Sequence, residues 1–86
     1  MNINNLIAIV KKKLTDSIVI EKIKIEDKSF LHKTHSGYQE SRFHLRIIIN
    51  SNELKNLSRI ESNKKIYKIL DQEMKEYIHS LQILIS

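Results

Sequence analysis

Residues 42–49 read Arg-Phe-His-Leu-Arg-Ile-Ile-Ile, and the predicted fold is built around this stretch. From Phe43 to Ile49 every second side chain is large and apolar, which is the period of a strand that buries one face. Residues 18–25 are mostly β-branched or charged and end in a similar alternation. They predict an antiparallel partner for the first strand.

Helical patterns surround these strands. Apolar residues recur at helical spacing over 3–14, which predicts an amphipathic helix with Asn2 as its cap. A short helical turn is expected around 54–57, and the Ser-Arg-Ile-Glu sequence of 58–61 matches a capping box that opens the longest helix. Alternation over 81–85 predicts a closing strand. The buried stripe of the long helix is expected to contain Ile66, Tyr67, Leu70, Met74, Tyr77 and Ile78.

The predicted element order is helix, strand, strand, short helical turn, helix, strand. The long helix can then act as the crossover into a last strand parallel to the second. We therefore predict an α+β two-layer sandwich, in which helices cover one face of a three-stranded mixed sheet. This order also resembles the type II KH-like topology, which is an analogy of fold and carries little information about function.

Composition narrows the function further. A chain of 86 residues builds one hydrophobic core, so we expect a single domain over 1–86. There is no cysteine, which excludes disulfides and leaves histidine as the only side chain suited to a soft or borderline metal. The formal charge of +5 favours acidic partners in general, including nucleic acid, and selects none of them.

The expected cellular location and the absence of catalysis follow from motifs that the sequence does not contain. The apolar residues 6–10 precede three lysines, the reverse of a secretory signal, and no apolar run reaches membrane-spanning length. We expect an intracellular location, the cytoplasm in a bacterium, and no membrane partner. Neither Ser41 nor Ser62 has a nucleophile elbow or triad context, and no glycine-rich phosphate loop occurs. The expected protein is not an enzyme.

Four histidines remain as candidate ligands. His32 and His35 lie in a long polar stretch, where functional loops are common. His44 falls on the polar phase of its strand, so we expect a solvated residue without a metal role. His79 lies in apolar phase between the long helix and the last strand, where it is either a ligand or a core histidine donating to a backbone carbonyl.

Three stretches resemble the BolA family. Residues 27–32 followed by 40–43 are similar to its histidine loop and Glu-Ser-His-Phe strand start, with Arg42 replacing the histidine. Residues 62–67 stand where the family has Arg-His-Arg and a following tyrosine, although only one of the three basic or imidazole positions is retained. Residues 73–81 resemble the Glu-Leu, spacer and His-Ala-Leu ending, which is the most specific match.

This resemblance implies a non-enzymatic partner of a monothiol glutaredoxin. The two proteins would form a heterodimer in iron-sulfur cluster assembly, trafficking or iron sensing, and share a 2Fe-2S cluster together with glutathione. His79 maps to the family's C-terminal ligand, and either His32 or His35 to its loop ligand. The resemblance implies no cofactor when the chain is alone, and we expect a monomer in the apo state.

Two alternatives stay open. The positive charge, the KH-like order and the transcriptional role of some relatives suggest a DNA-binding transcriptional regulator, with Lys64, Lys65 and Lys68 as the nucleic-acid contacts. Its sequence support is thinner, because the Gly-x-x-Gly clamp of a KH domain and an aromatic stacking platform are both missing. A third possibility is a structural adaptor in which His79 is only a core residue.

Overall fold

The computed structural model describes residues 1–29 and 42–86 and has an α+β architecture. The predicted order of elements is confirmed, except that the long helix is divided into two. The elements are α1 (Ile3–Ser17), β1 (Lys22–Asp27), β2 (Phe43–Asn50), α2 (Asn52–Lys55), α3 (Arg59–Ile69), α4 (Asp71–Glu76) and β3 (Ile78–Ile85).

The sheet has the order β1-β2-β3, with β2 in the middle. Strand β1 is antiparallel to β2, and β3 is parallel to β2, as predicted. In the register, Ile47 lies opposite Ile25 on one side and Ile83 on the other. Directly opposed residues share a face of the sheet, so these three side chains lie on the face that packs into the core, whereas Ile48 and the exposed Leu84 lie on the other face.

Helices α1 and α3 begin at side-chain caps. The backbone N–H of Asn5 donates to Asn2 Oδ1 at 2.8 Å, and that of Glu61 donates to Ser58 Oγ at 3.1 Å. Both caps were predicted. The strand predicted from residue 18 begins instead at Lys22, because Ile18 still caps α1 by donating its N–H to a carbonyl of the helix.

The long helix ends at Leu70 and a new helix starts there. Leu70 has φ −97° and ψ 18°, outside the helical range, while its side chain is fully buried. Apolar spacing continues from Leu70 to Met74 across the break, so periodicity did not reveal it. Tyr67 was expected in the buried stripe but is 40% exposed, and its hydroxyl donates to the Leu81 carbonyl at 3.3 Å.

One core joins the helices to the sheet. None of the helices in the described ranges is long and apolar enough to span a bilayer. Beside this core, Lys13 of α1 and the buried Glu73 of α4 form an ion pair. The buried apolar residues are Leu6, Val10, Leu14, Ile18, Leu45, Ile47, Ile49, Leu54, Ile66, Leu70 and Ile78.

Candidate metal-ligand site around His79

A bulge at the start of β3 determines where His79 points. Phe43 pairs with Ile78 and the next residue, His44, pairs with Ser80, so His79 is an extra residue without a partner on β2. An extra residue reverses the alternation of side chains beyond it. Ile78 is buried at 1% exposure, whereas His79 and Ser80 are both exposed, and the inward side of the strand resumes at Leu81.

The expectation that His79 is buried in apolar phase is therefore wrong. In a regular strand, residues 79 and 81 would lie on the same face of the sheet, and Leu81 faces inward. The bulge interrupts the alternation between them, so His79 does not share the inward direction of Leu81. The alternative of a core histidine also fails, because the residue is exposed. An exposed imidazole on a strand is able to present a nitrogen to an incoming metal.

Strand β2 holds the chain on the N-terminal side of the bulge. The guanidinium of Arg42 donates to the Lys75 carbonyl at 3.0 Å, at the end of α4. The N–H of Phe43 donates to the Tyr77 carbonyl at 2.8 Å. These two hydrogen bonds fix the path of the chain from α4 into β3, just before His79.

On the C-terminal side the bulge is held by His44. Its Nδ1 lies 2.6 Å from Ser80 Oγ, and its ring centre lies 5.0 Å from that of His79, with the planes tilted by 57°. His44 is only 7% exposed, so the prediction of a solvated residue is wrong. The alternation of side chains along the strand correctly placed His44 on the face of the sheet away from the helices. At this position, however, the side chain is buried.

The base of the loop between β1 and β2 meets the same histidine. Ser29 Oγ accepts the N–H of His44 at 3.1 Å, and the N–H of Lys28 donates to the His44 carbonyl at 2.7 Å. The described chain therefore leaves β1 beside His44. The predicted loop ligands His32 and His35 lie outside the described residues.

The described residues do not form a complete metal site by themselves. Within 1–29 and 42–86, no group of three His, Cys, Asp or Glu side chains is arranged to hold a metal ion. His79 is thus suited to serve as one ligand among several, with the others supplied from outside this part of the chain. A metal centre containing sulfur would need an external thiolate, since the chain has no cysteine.

The three lysines predicted to contact nucleic acid differ in their exposure and in their partners. Lys64 and Lys68 are exposed on α3, whereas Lys65 Nζ lies 2.9 Å from Glu53 Oε2. The hydrogen bond from Lys65, followed by that from the Val19 N–H, lowers the pKa of Glu53 below its ordinary value of 4.5. Lys65 is thus already paired with a carboxylate, which leaves two exposed cations in the predicted set.

Comparisons with known proteins agree with this architecture. A family model described as BolA-like protein matches residues 14–86. A curated relative is the DNA-binding transcriptional regulator BolA of Haemophilus influenzae, which is 28% identical over 75 residues, covering 87% of this chain and 70% of the relative.

Solved structures show the same fold. The BolA domain of SufE1 from Arabidopsis thaliana has a TM-score of 0.77 at 24% identity, over 92% of this chain and 87% of that one. BolA1 from Mus musculus has a TM-score of 0.72 at 21% identity, over 90% of this chain and 60% of that one.

Proposed function

Because the chain belongs to the BolA-like protein family, we propose that it is a non-enzymatic partner of a monothiol glutaredoxin. The two proteins share a 2Fe-2S cluster, to which this chain contributes histidine nitrogen. The cluster is cargo that the pair assembles, passes on or senses. The glutaredoxin and glutathione supply the sulfur ligands, which this chain lacks because it has no cysteine.

The observation that carries the proposal is the exposed His79 on its bulge. A ligand shared between two proteins has to project from the surface of each, and His79 does so while hydrogen bonds hold the backbone on both sides. Bulges are a common means of turning one side chain out of a strand, often beside functional sites.

The second histidine ligand that we propose is His32 or His35, both of which follow Ser29 in the sequence. Ser29 is bonded to the backbone of His44, whose ring lies against that of His79. The chain that precedes these two histidines therefore contacts the strand beside His79, and His32 and His35 themselves lie outside the described residues.

Histidine ligation gives such a cluster two properties. Replacing thiolate by imidazole raises the reduction potential. Each ligating nitrogen must also be deprotonated, so acid weakens the bond. A cluster held in this way is easier to release or to sense than one held by thiolates alone.

The test combines this chain with a monothiol glutaredoxin, glutathione and iron, and follows the visible circular dichroism of the cluster. Adding the wild-type chain should change the spectrum, and His79→Ala should abolish that change. Gln82→Ala is the matched control, because Gln82 is also exposed on β3. Chemical-shift mapping without the cluster measures apo docking separately. An unchanged spectrum with His79→Ala would reject the ligand assignment.

A second candidate is a DNA-binding regulator, favoured by the name of the Haemophilus influenzae relative and by the exposed Lys64 and Lys68. Binding through phosphates weakens steeply as salt rises. If this function holds, Lys64→Ala and Lys68→Ala should lower DNA affinity and reduce its dependence on salt. Binding that is undetectable, or insensitive to salt, would remove this candidate.

A further inference from the structure

The strongest unassigned feature of the molecule is the buried imidazole of His44. Its ring stands between Ser80, 2.6 Å away from Nδ1, and the ring of His79, 5.0 Å away between centres. Its backbone N–H and carbonyl bind the base of the loop at Ser29 and Lys28. One residue therefore contacts the His79 ring, the residue that follows it in β3 and the base of the loop.

We propose that His44 is the positioning residue of His79: it fixes the bulge through Ser80 and holds the direction of the His79 ring. This inference rests on the proposed function, because it assigns His44 a role in presenting the cluster ligand. Residues that orient a metal-binding side chain, without touching the metal, commonly control affinity in metal sites.

The two sides of the bulge are held by different contacts, which explains why a side chain is needed to hold the strand after His79. Before His79, a main-chain hydrogen bond from Phe43 to the Tyr77 carbonyl holds the strand. At the bulge itself the regular ladder is interrupted, because an extra residue on β3 has no partner on β2. The hydrogen bond between His44 and Ser80 links the two strands on the C-terminal side of the bulge. Tilted packing of the His44 ring against the His79 ring limits the rotation of the His79 ring.

A matched pair one step along the sheet provides the control. Arg46 and Gln82 are opposite each other on the same two strands, and Arg46 Nε donates to Gln82 Oε1 at 2.8 Å. This cross-strand pair resembles that of His44 and Ser80 but lies beyond the bulge. Gln82→Ala therefore measures what the loss of an ordinary cross-strand bond does to the site.

The first measurement uses the apo protein with isotope-labelled histidine. NMR relaxation should show that the His79 ring is more mobile in His44→Leu and in Ser80→Ala, and unchanged in Gln82→Ala. The Ser80 variant removes the same hydrogen bond from an exposed position, so it answers the question even if the His44 variant does not fold. An unchanged His79 ring in Ser80→Ala and in any folded His44→Leu overturns the proposal.

The second measurement uses the complex with glutaredoxin, glutathione and the cluster. Retention of the cluster should fall about 10- to 100-fold in His44→Leu. His44→Asn should recover at least half of that loss on a logarithmic scale, because its amide replaces Nδ1 beside Ser80. Equal losses in the Leu and Asn variants contradict the proposal.

His79→Ala in the same series separates the two hypotheses. If His79→Ala has no effect on the cluster, the proposed function fails, whatever His44 does to the ring. If His79→Ala abolishes the spectral change while His44→Leu retains the cluster like Gln82→Ala, the function stands and the positioning role is wrong.

Discussion

Replacing Lys13 by Met should destabilise the protein because it leaves a buried carboxylate without its counter-charge. Lys13 Nζ lies 2.6 Å from Glu73 Oε2, and the Glu73 side chain is only 6% exposed. The second oxygen, Oε1, is buried without a hydrogen-bond partner in the described part of the chain. Lys13→Met keeps the bulk of the aliphatic stem and removes only the ammonium group.

The magnitude follows from burial. Breaking a fully buried ion pair costs about 3–5 kcal/mol. Since the Lys13 side chain is 37% exposed, water screens part of the interaction, and we expect about 2–3 kcal/mol. For a domain of this size, a loss of 2 kcal/mol lowers the melting temperature by about 8–16 °C.

The assay is chemical denaturation at neutral pH, with the double variant Lys13→Met and Glu73→Met as the control. An apolar pair of similar volume removes the buried charge altogether, so the double variant should lie within about 1 kcal/mol of the wild type. The reasoning is refuted if the double variant is no more stable than Lys13→Met alone. That result would mean that the carboxylate is not the source of the loss.

Three further predictions concern a cap, a surface pair and the site. Ser58→Ala removes the hydrogen bond to the Glu61 N–H and should cost about 1 kcal/mol in denaturant unfolding. Because the pKa of Glu53 is lowered from 4.5, its carboxylate stabilises the fold above that pH; the advantage of the wild type over Glu53→Gln should begin to fall near pH 4.5 and vanish in stronger acid. His79→Ala removes an exposed side chain and should change the free energy of unfolding by less than about 1 kcal/mol.

Each of these predictions has a matched control. Ser58→Asn keeps a capping oxygen and should retain stability, so a loss equal to that of the alanine variant would argue against the cap. For the acid titration, Glu61→Gln is the comparison, and an identical pH profile would contradict the role of the Lys65 pair. Leu45→Ala, in the core beneath the site, should cost about 2–5 kcal/mol. If His79→Ala destabilised the fold as much as Leu45→Ala does, that result would show that His79 has a structural role.

Much of the fold was predictable because local chemistry and tertiary packing agree. The alternation over 43–49 predicted the central strand, and the caps at Asn2 and Ser58 predicted the starts of two helices. Ile18 shows the limit of this reasoning. Its backbone is extended, as a β-branched residue favours, but it lies before β1 as the C-terminal cap of α1, with its side chain buried at 3% exposure in the core.

The geometry around the candidate ligand was not predicted from the sequence. The role of His79 as a metal ligand stays a prediction, whereas its exposure was predicted wrongly, and so was that of His44. An alternation with a period of two predicts which face of the sheet a side chain lies on only while the pairing of the strands contains no bulge. The bulge before Ser80 adds one residue on β3, and nothing in the local sequence marks it.

The sequence was enough to predict the order of elements, the direction of each strand pair and the absence of any cysteine thiolate, because these follow from periodicity, chain connection and composition. The tertiary structure alone decided which imidazole is exposed and which is buried beside it. That outcome depends on how β2 and β3 align, and alignment is a property of two strands in contact.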